Sequence, residues 1–153
     1  MYLNKIQIIT KSVRKKNVVV RLSMELINKL GSLKVKTDRS ISKLIVICLA
    51  YYITLDTVSI QLSLYSENKE NNKSKDGSIG VKTRVTSFAV PIPLLKALGN
   101  YSKTNNKSMT KITREALYYW FSIIEAFEPI IDVDKWVTST GVKALREILD
   151  DNN

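Results

Sequence analysis

The sequence predicts a mainly helical chain in which one small strand–helix–turn–helix unit is built twice. Two observations carry this. Shifting the chain by 68 residues superposes Leu26 on Leu94, Leu30 on Leu98, Gly31 on Gly99, Ser40 on Ser108, Lys43 on Lys111, Leu49 on Leu117 and Tyr51 on Tyr119 without a gap. These are seven identities in the 33 positions from 20 to 52, where background composition gives about two. Within each copy the apolar pattern changes from the period of a strand to that of a helix, and then repeats the helical period after a polar turn.

The elements follow in order. In NVVVRLS, residues 17–22 form a β-branched run in which Val18, Val20 and Leu22 alternate with Asn17, Val19 and Arg21. Successive strand residues face opposite sides, so the first three predict a core face and the second three an outward face. Residues 85–90 are the matching strand of the second copy. Ser23 is placed to cap a first helix, and the Pro91–Pro93 pair to open its counterpart, since proline is tolerated in a first helical turn. Asp38 and Asn106 fall where the chain turns back, and both residue types accept a left-handed backbone. Ser40 and Ser108 are N-caps of second helices, whose apolar stripes are Ile41, Leu44, Ile45, Cys48, Leu49 and Tyr52 in one copy and Met109, Ile112, Ala116, Leu117 and Trp120 in the other. The Tyr51–Tyr52 and Tyr118–Phe121 aromatics lie at core spacing, which favours packing over base stacking.

Composition narrows the function. The 153 residues carry 24 Lys/Arg against 14 Asp/Glu, a net charge of +10, which favours a polyanionic partner. The charge is unevenly spread: residues 1–54 sum to +9, 55–81 to −1, 82–124 to +6 and 125–153 to −4. There is one cysteine and no histidine. Mechanisms with a histidine base, Cys/His zinc sites and internal disulfides are thereby excluded, and no glycine-rich phosphate loop is present. The expectation is a protein that is not an enzyme and uses no cofactor. No segment reaches the ~18 apolar residues of a membrane span, and the N-terminal charges follow the apolar stretch, opposite to a secretory signal. This points to a soluble, cytoplasmic chain that does not enter a membrane.

Strand-Arg-Leu-Ser, then Met-Glu-Leu, a polar turn and RSISKLI opening an apolar helix, repeated as FAVPIPLLKAL and KSMTKITREAL, resembles the ribbon-helix-helix (MetJ/Arc superfamily) DNA-binding regulators. The resemblance covers about 36 residues of each half. It implies that the two strands pair into a short two-stranded antiparallel β-ribbon that enters the major groove. The helix pairs would share one core, so that a single chain with tandem units forms an intramolecular pseudo-dimer, although the linker between the units would also permit pairing between chains. The wealth of lysine, asparagine and isoleucine resembles that of proteins from AT-rich genomes, and tandem regulators of this kind occur in archaeal viruses, which would place the chain in a host cell.

The resemblance also implies roles. Asn17, Val19 and Arg21, with Val85, Ser87 and Ala89, become the base-reading positions on double-stranded DNA. Arginine can donate twice to guanine, asparagine can pair with adenine, and valine can touch a thymine methyl. Because Ala89 stands where the first copy has arginine, the implied site is asymmetric, its first half carrying most of the sequence information. Phosphates would be held at the starts of the second helices by Ser40, Ser42 and Lys43 and by Ser108, Thr110 and Lys111, where the helix dipole and unpaired N–H groups attract anions. A basic arm of Lys11, Arg14, Lys15 and Lys16 precedes the first strand, and Lys82 and Arg84 precede the second.

The expected organisation is therefore an N-terminal strand (2–10) and arm in 1–16, a first unit at 17–54, a flexible linker with one further short strand in 55–83, a second unit at 84–127, and a helical extension at 128–153 with a last helix near 135–150. Two other functions fit the same residues. One is an antitoxin-like protein whose C-terminal segment wraps a toxin while the ribbon regulates its own gene. The other is a nonspecific architectural coat on DNA. Assembly of neighbouring units as an array on DNA is a further expectation of the resemblance.

Overall fold

The alternating run KKNVVVRLS forms the strand β1 (Lys15–Ser23), and TRVTSFAVP forms β2 (Thr83–Pro91), in a computed structural model that describes residues 14–55, 82–128 and 130–151. The two pair antiparallel as a two-stranded sheet. β1 leads into α1 (Met24–Thr37) and α2 (Ile41–Ile53), and β2 into α3 (Ile92–Asn105) and α4 (Met109–Phe127). Among the described residues the chain is thus mainly helical with one small antiparallel sheet. A last helical stretch comprises α5 (Val133–Val137), a π-helical turn (Thr138–Val142) and α6 (Lys143–Asp151). The expected strand at 2–10, Lys11, the alternating segment 58–65 and the linker 66–80 lie outside the described residues.

The 68-residue period of the sequence recurs in the element limits, from Lys15 to Thr83, from Met24 to Ile92, from Thr37 to Asn105 and from Ile41 to Met109. Local chemistry explains each limit. Ser23 Oγ accepts the Leu26 N–H at 3.3 Å, Ser40 Oγ that of Lys43 and Ser108 Oγ that of Lys111, both at 3.2 Å. Pro91 caps the start of α3 without a side-chain hydrogen bond. Asp38 (φ 55°) and Asn106 (φ 52°) adopt the left-handed conformation that ends α1 and α3.

Both strands begin two residues earlier than the alternation predicts. Pairing continues until each strand turns into its helix: the Met24 N–H reaches the Lys82 carbonyl at 3.1 Å and the Ile92 N–H reaches the Arg14 carbonyl at 3.0 Å. Lys15, Lys16 and Arg84 therefore belong to the ribbon itself rather than to arms leading into it. Charged residues at the ends of an exposed ribbon gave no sequence signal for pairing.

The inner face of the ribbon carries Val20, Leu22, Phe88 and Val90, all buried, with Val18 half-buried at its margin. They join Leu26, Leu30, Leu44, Ile45, Leu49, Leu94, Leu98, Ile112, Leu117 and Trp120 in one core drawn from both halves. Each fully buried aliphatic side chain contributes about 1.5–3 kcal/mol by leaving water. The halves interlock, since α2 packs on β2 while α4 packs on β1, and α2 and α4 pack together. Tyr52, Trp120 and Phe121 are buried, and Tyr51, Tyr118 and Tyr119 lean on the core, so these aromatics pack rather than present stacking faces.

One core feature had no counterpart in the sequence reading. Glu115 on α4 is buried, where it accepts hydrogen bonds from Lys107 Nζ at 2.8 Å and from the Tyr52 hydroxyl at 3.2 Å. This charge-assisted pair ties the turn before α4 to both second helices. The final stretch, expected as a helix near 135–150, runs from 133 to 151, with α5 packing on α1 and the π-helical turn and α6 on α2. It buries Val133, Val137 and Ala144. Gly141 lies close against α2: a Cβ built there would stand 2.2 Å from Ile47 Cγ2 and 3.1 Å from the Ile47 carbonyl oxygen.

Candidate nucleic-acid interface

Strand parity assigns the outer face of the ribbon. The register sets Asn17 opposite Ala89, Val19 opposite Ser87 and Arg21 opposite Val85, so all six residues expected to read bases lie on one face. Asn17, Val19, Arg21, Val85 and Ser87 are exposed, and Ala89 is half-buried. Val19 and Val85 are 61 % and 55 % exposed, placing two branched apolar side chains in water beside polar ones on a rigid two-stranded scaffold. The register maps onto itself under the 68-residue shift, with Val19 facing its own counterpart Ser87 at the centre.

Two residues join this face that the sequence reading assigned elsewhere or not at all. Lys15 has the parity of Asn17. Thr83 has the parity of Val85, and its Oγ1 accepts a hydrogen bond from Arg21 Nη1 at 3.1 Å. The signal for Thr83 lay in the repeat, since it is the 68-residue counterpart of Lys15, but it depended on knowing how far pairing extends. Lys16 and Arg84, also counterparts, have core-face parity but stand exposed at opposite ends of the ribbon.

The starts of α2 and α4 adjoin this ribbon. Ser42 Oγ accepts the Ala89 N–H at 3.2 Å, fastening the first turn of α2 to the edge of β2. A hydroxyl that accepts one bond still holds a proton to donate. Ser40 and Ser108 spend their side-chain oxygens on capping, so the anion-attracting groups at these ends are the N–H groups of Ile41, Ser42, Met109 and Thr110 at the helix starts, together with the Lys43 and Lys111 side chains. Ser40, Lys43 and Ser108 are exposed, and Ser42, Thr110 and Lys111 are half-buried.

Electrostatics separates two sides of the molecule. Ion pairs between described residues include Lys29 with Glu125 (2.7 Å) and Glu25 (3.5 Å), Lys36 with Glu128, Arg39 with Asp134 (2.5 Å), and Lys107 with Glu115. Partial burial lowers the Lys29 pKa, but the Glu125 and Glu25 carboxylates outweigh it and raise the value. Acids after residue 114 thus neutralise cations on α1 and the turn after it, whereas Lys15, Lys16, Arg21, Arg84 and Lys43 take no part in these pairs. Cys48 is buried with its thiol pKa pushed up by desolvation, so it packs as a small hydrophobe. No helix among the described residues is long and apolar enough to cross a membrane. No protein-family model, curated protein sequence or solved structure matches this chain.

Proposed function

We propose that this chain is a sequence-specific regulator of transcription that binds double-stranded DNA, a tandem ribbon-helix-helix protein whose two units form an intramolecular pseudo-dimer. It acts as a repressor by laying the β1–β2 ribbon in the major groove of its site. One observation carries the reading: strands from the two repeats lie side by side with Val20, Leu22, Phe88 and Val90 turned to the core and Asn17, Val19, Arg21, Val85 and Ser87 turned to water. Two strands about 4.8 Å apart fit a groove about 12 Å wide. Lys15, Lys16 and Arg84 stand where they meet flanking phosphates, and the starts of α2 and α4 supply backbone N–H groups and Lys43 and Lys111 for others.

The packing of residues 133–151 against α1 and α2 favours a stabilising role for this segment over the toxin-wrapping role of an antitoxin-like protein. Reading by Arg21 separates a regulator from an architectural coat. Arg21→Ala is expected to cost about 1–3 kcal/mol on a duplex selected from a random pool and little on random duplex, followed by fluorescence anisotropy. Equal losses on both would demote Arg21 to a phosphate contact, and equal affinity of the parent chain for selected and random duplex would make the protein a coat.

A further inference from the structure

Building on the DNA-reading role of the ribbon, we infer that the site it recognises has two unlike ends, one read by Asn17 and the other by Arg21, so that the protein binds in a single orientation. The inference comes from the register. Asn17 and Arg21 stand two residues either side of Val19 on the same strand, and the register makes the Val19–Ser87 pair the centre of the reading face, so the two lie at its opposite ends. Asn17 lies beside Ala89, and Arg21 lies beside Val85 with its guanidinium bonded to Thr83 at 3.1 Å. A symmetric ribbon would present the same pair at both ends. Here the counterpart of Asn17 is Val85 and the counterpart of Arg21 is Ala89, so neither end repeats the other.

The asymmetry therefore differs from that of an informative half beside a silent one. Each end combines one hydrogen-bonding reader from the first repeat with one apolar neighbour from the second. The asparagine amide matches the N6 and N7 positions of adenine, with the Ala89 methyl able to meet a thymine methyl. The guanidinium matches O6 and N7 of guanine, and Val85 offers the thymine-methyl contact at that end. Thr83 holds the guanidinium on the outer face before DNA arrives, reducing the side-chain freedom lost on binding. Arg21 lies four strand steps beyond Asn17, about 13 Å at about 3.3 Å per step, which corresponds to roughly four base-pair steps.

The experiment is a selection from a random duplex pool with the full chain, repeated with Asn17→Ala and Arg21→Ala. Both residues are exposed, and each variant is checked for parental circular dichroism and unfolding. The expected motif is non-palindromic, with an adenine-containing end and a guanine-containing end about four base pairs apart. Arg21→Ala should remove the guanine preference by about tenfold or more and leave the adenine end intact, and Asn17→Ala should do the converse. A palindromic motif, or loss of the same end in both variants, overturns the inference while DNA reading stands. A pool with no enriched sequence overturns the DNA-reader reading, and this inference with it.

Discussion

The same substitution, glycine to alanine, is expected to act with opposite signs at three helical positions of this chain. At Gly141 an added Cβ would lie 2.2 Å from Ile47 Cγ2 and 3.1 Å from the Ile47 carbonyl oxygen. Non-bonded carbons rest about 3.5–4.0 Å apart, so the methyl intrudes by more than about 1 Å on a β-branched side chain that cannot swing away. Overpacking of this kind costs about 1–3 kcal/mol. Alanine recovers about 0.5–1 kcal/mol of helix propensity, leaving a net loss on the order of 1–2 kcal/mol. For a chain of this length that corresponds to a Tm lowered by about 2–8 °C. Gly31 and Gly99 occupy equivalent places in α1 and α3, neither has a positive φ, and nothing lies within 4 Å of a Cβ at either. Gly31→Ala and Gly99→Ala should therefore each stabilise by about 0.5–1 kcal/mol. Chemical and thermal denaturation of the three single variants measure the signs. In an Ile47→Ala background, Gly141→Ala should cost at least about 1 kcal/mol less than in the parent, because the Cγ2 it strikes is gone. Equal stabilisation at all three glycines, or no coupling between Gly141 and Ile47, would refute the close docking of residues 138–151 on α2.

Two further outcomes test the interface and the assembly. Lys43→Ala should weaken binding to every duplex alike and reduce the slope of log K against log salt by about one, because a phosphate contact carries no base information; a loss confined to the selected site would make Lys43 a base reader. In dilute solution without DNA, light scattering should report the mass of one chain, since β1 finds its partner β2 within the same polypeptide; an obligate dimer would mean that the strands pair between chains.

Much of this architecture is local, and local features are legible in sequence. The capping oxygens of Ser23, Ser40 and Ser108 bond to N–H groups three residues away, and the left-handed turns at Asp38 and Asn106 need only side chains that tolerate them. Strand parity is equally local, which is why Val20 and Leu22 could be assigned inward and Arg21 outward before any partner strand was known. The repeat then carried each assignment to the second half.

Features that depend on distant segments meeting were decided by tertiary structure. The ladder extends to Lys15 and Thr83 because the two ends of the ribbon close on Lys82 and Arg14 carbonyls far away in the chain. Glu115, an unremarkable residue in an amphipathic pattern, is buried because Lys107 and Tyr52 converge on it. Gly141 leaves no room for a Cβ only because Ile47 lies against it. Sequence alone determined which residues form each unit and which side of each strand faces water, since hydrogen bonds and side-chain alternation within a few residues set both. Only the tertiary structure decided that Ala89 stands beside Asn17 and Val85 beside Arg21, because register belongs to the pairing of two strands and to neither strand by itself.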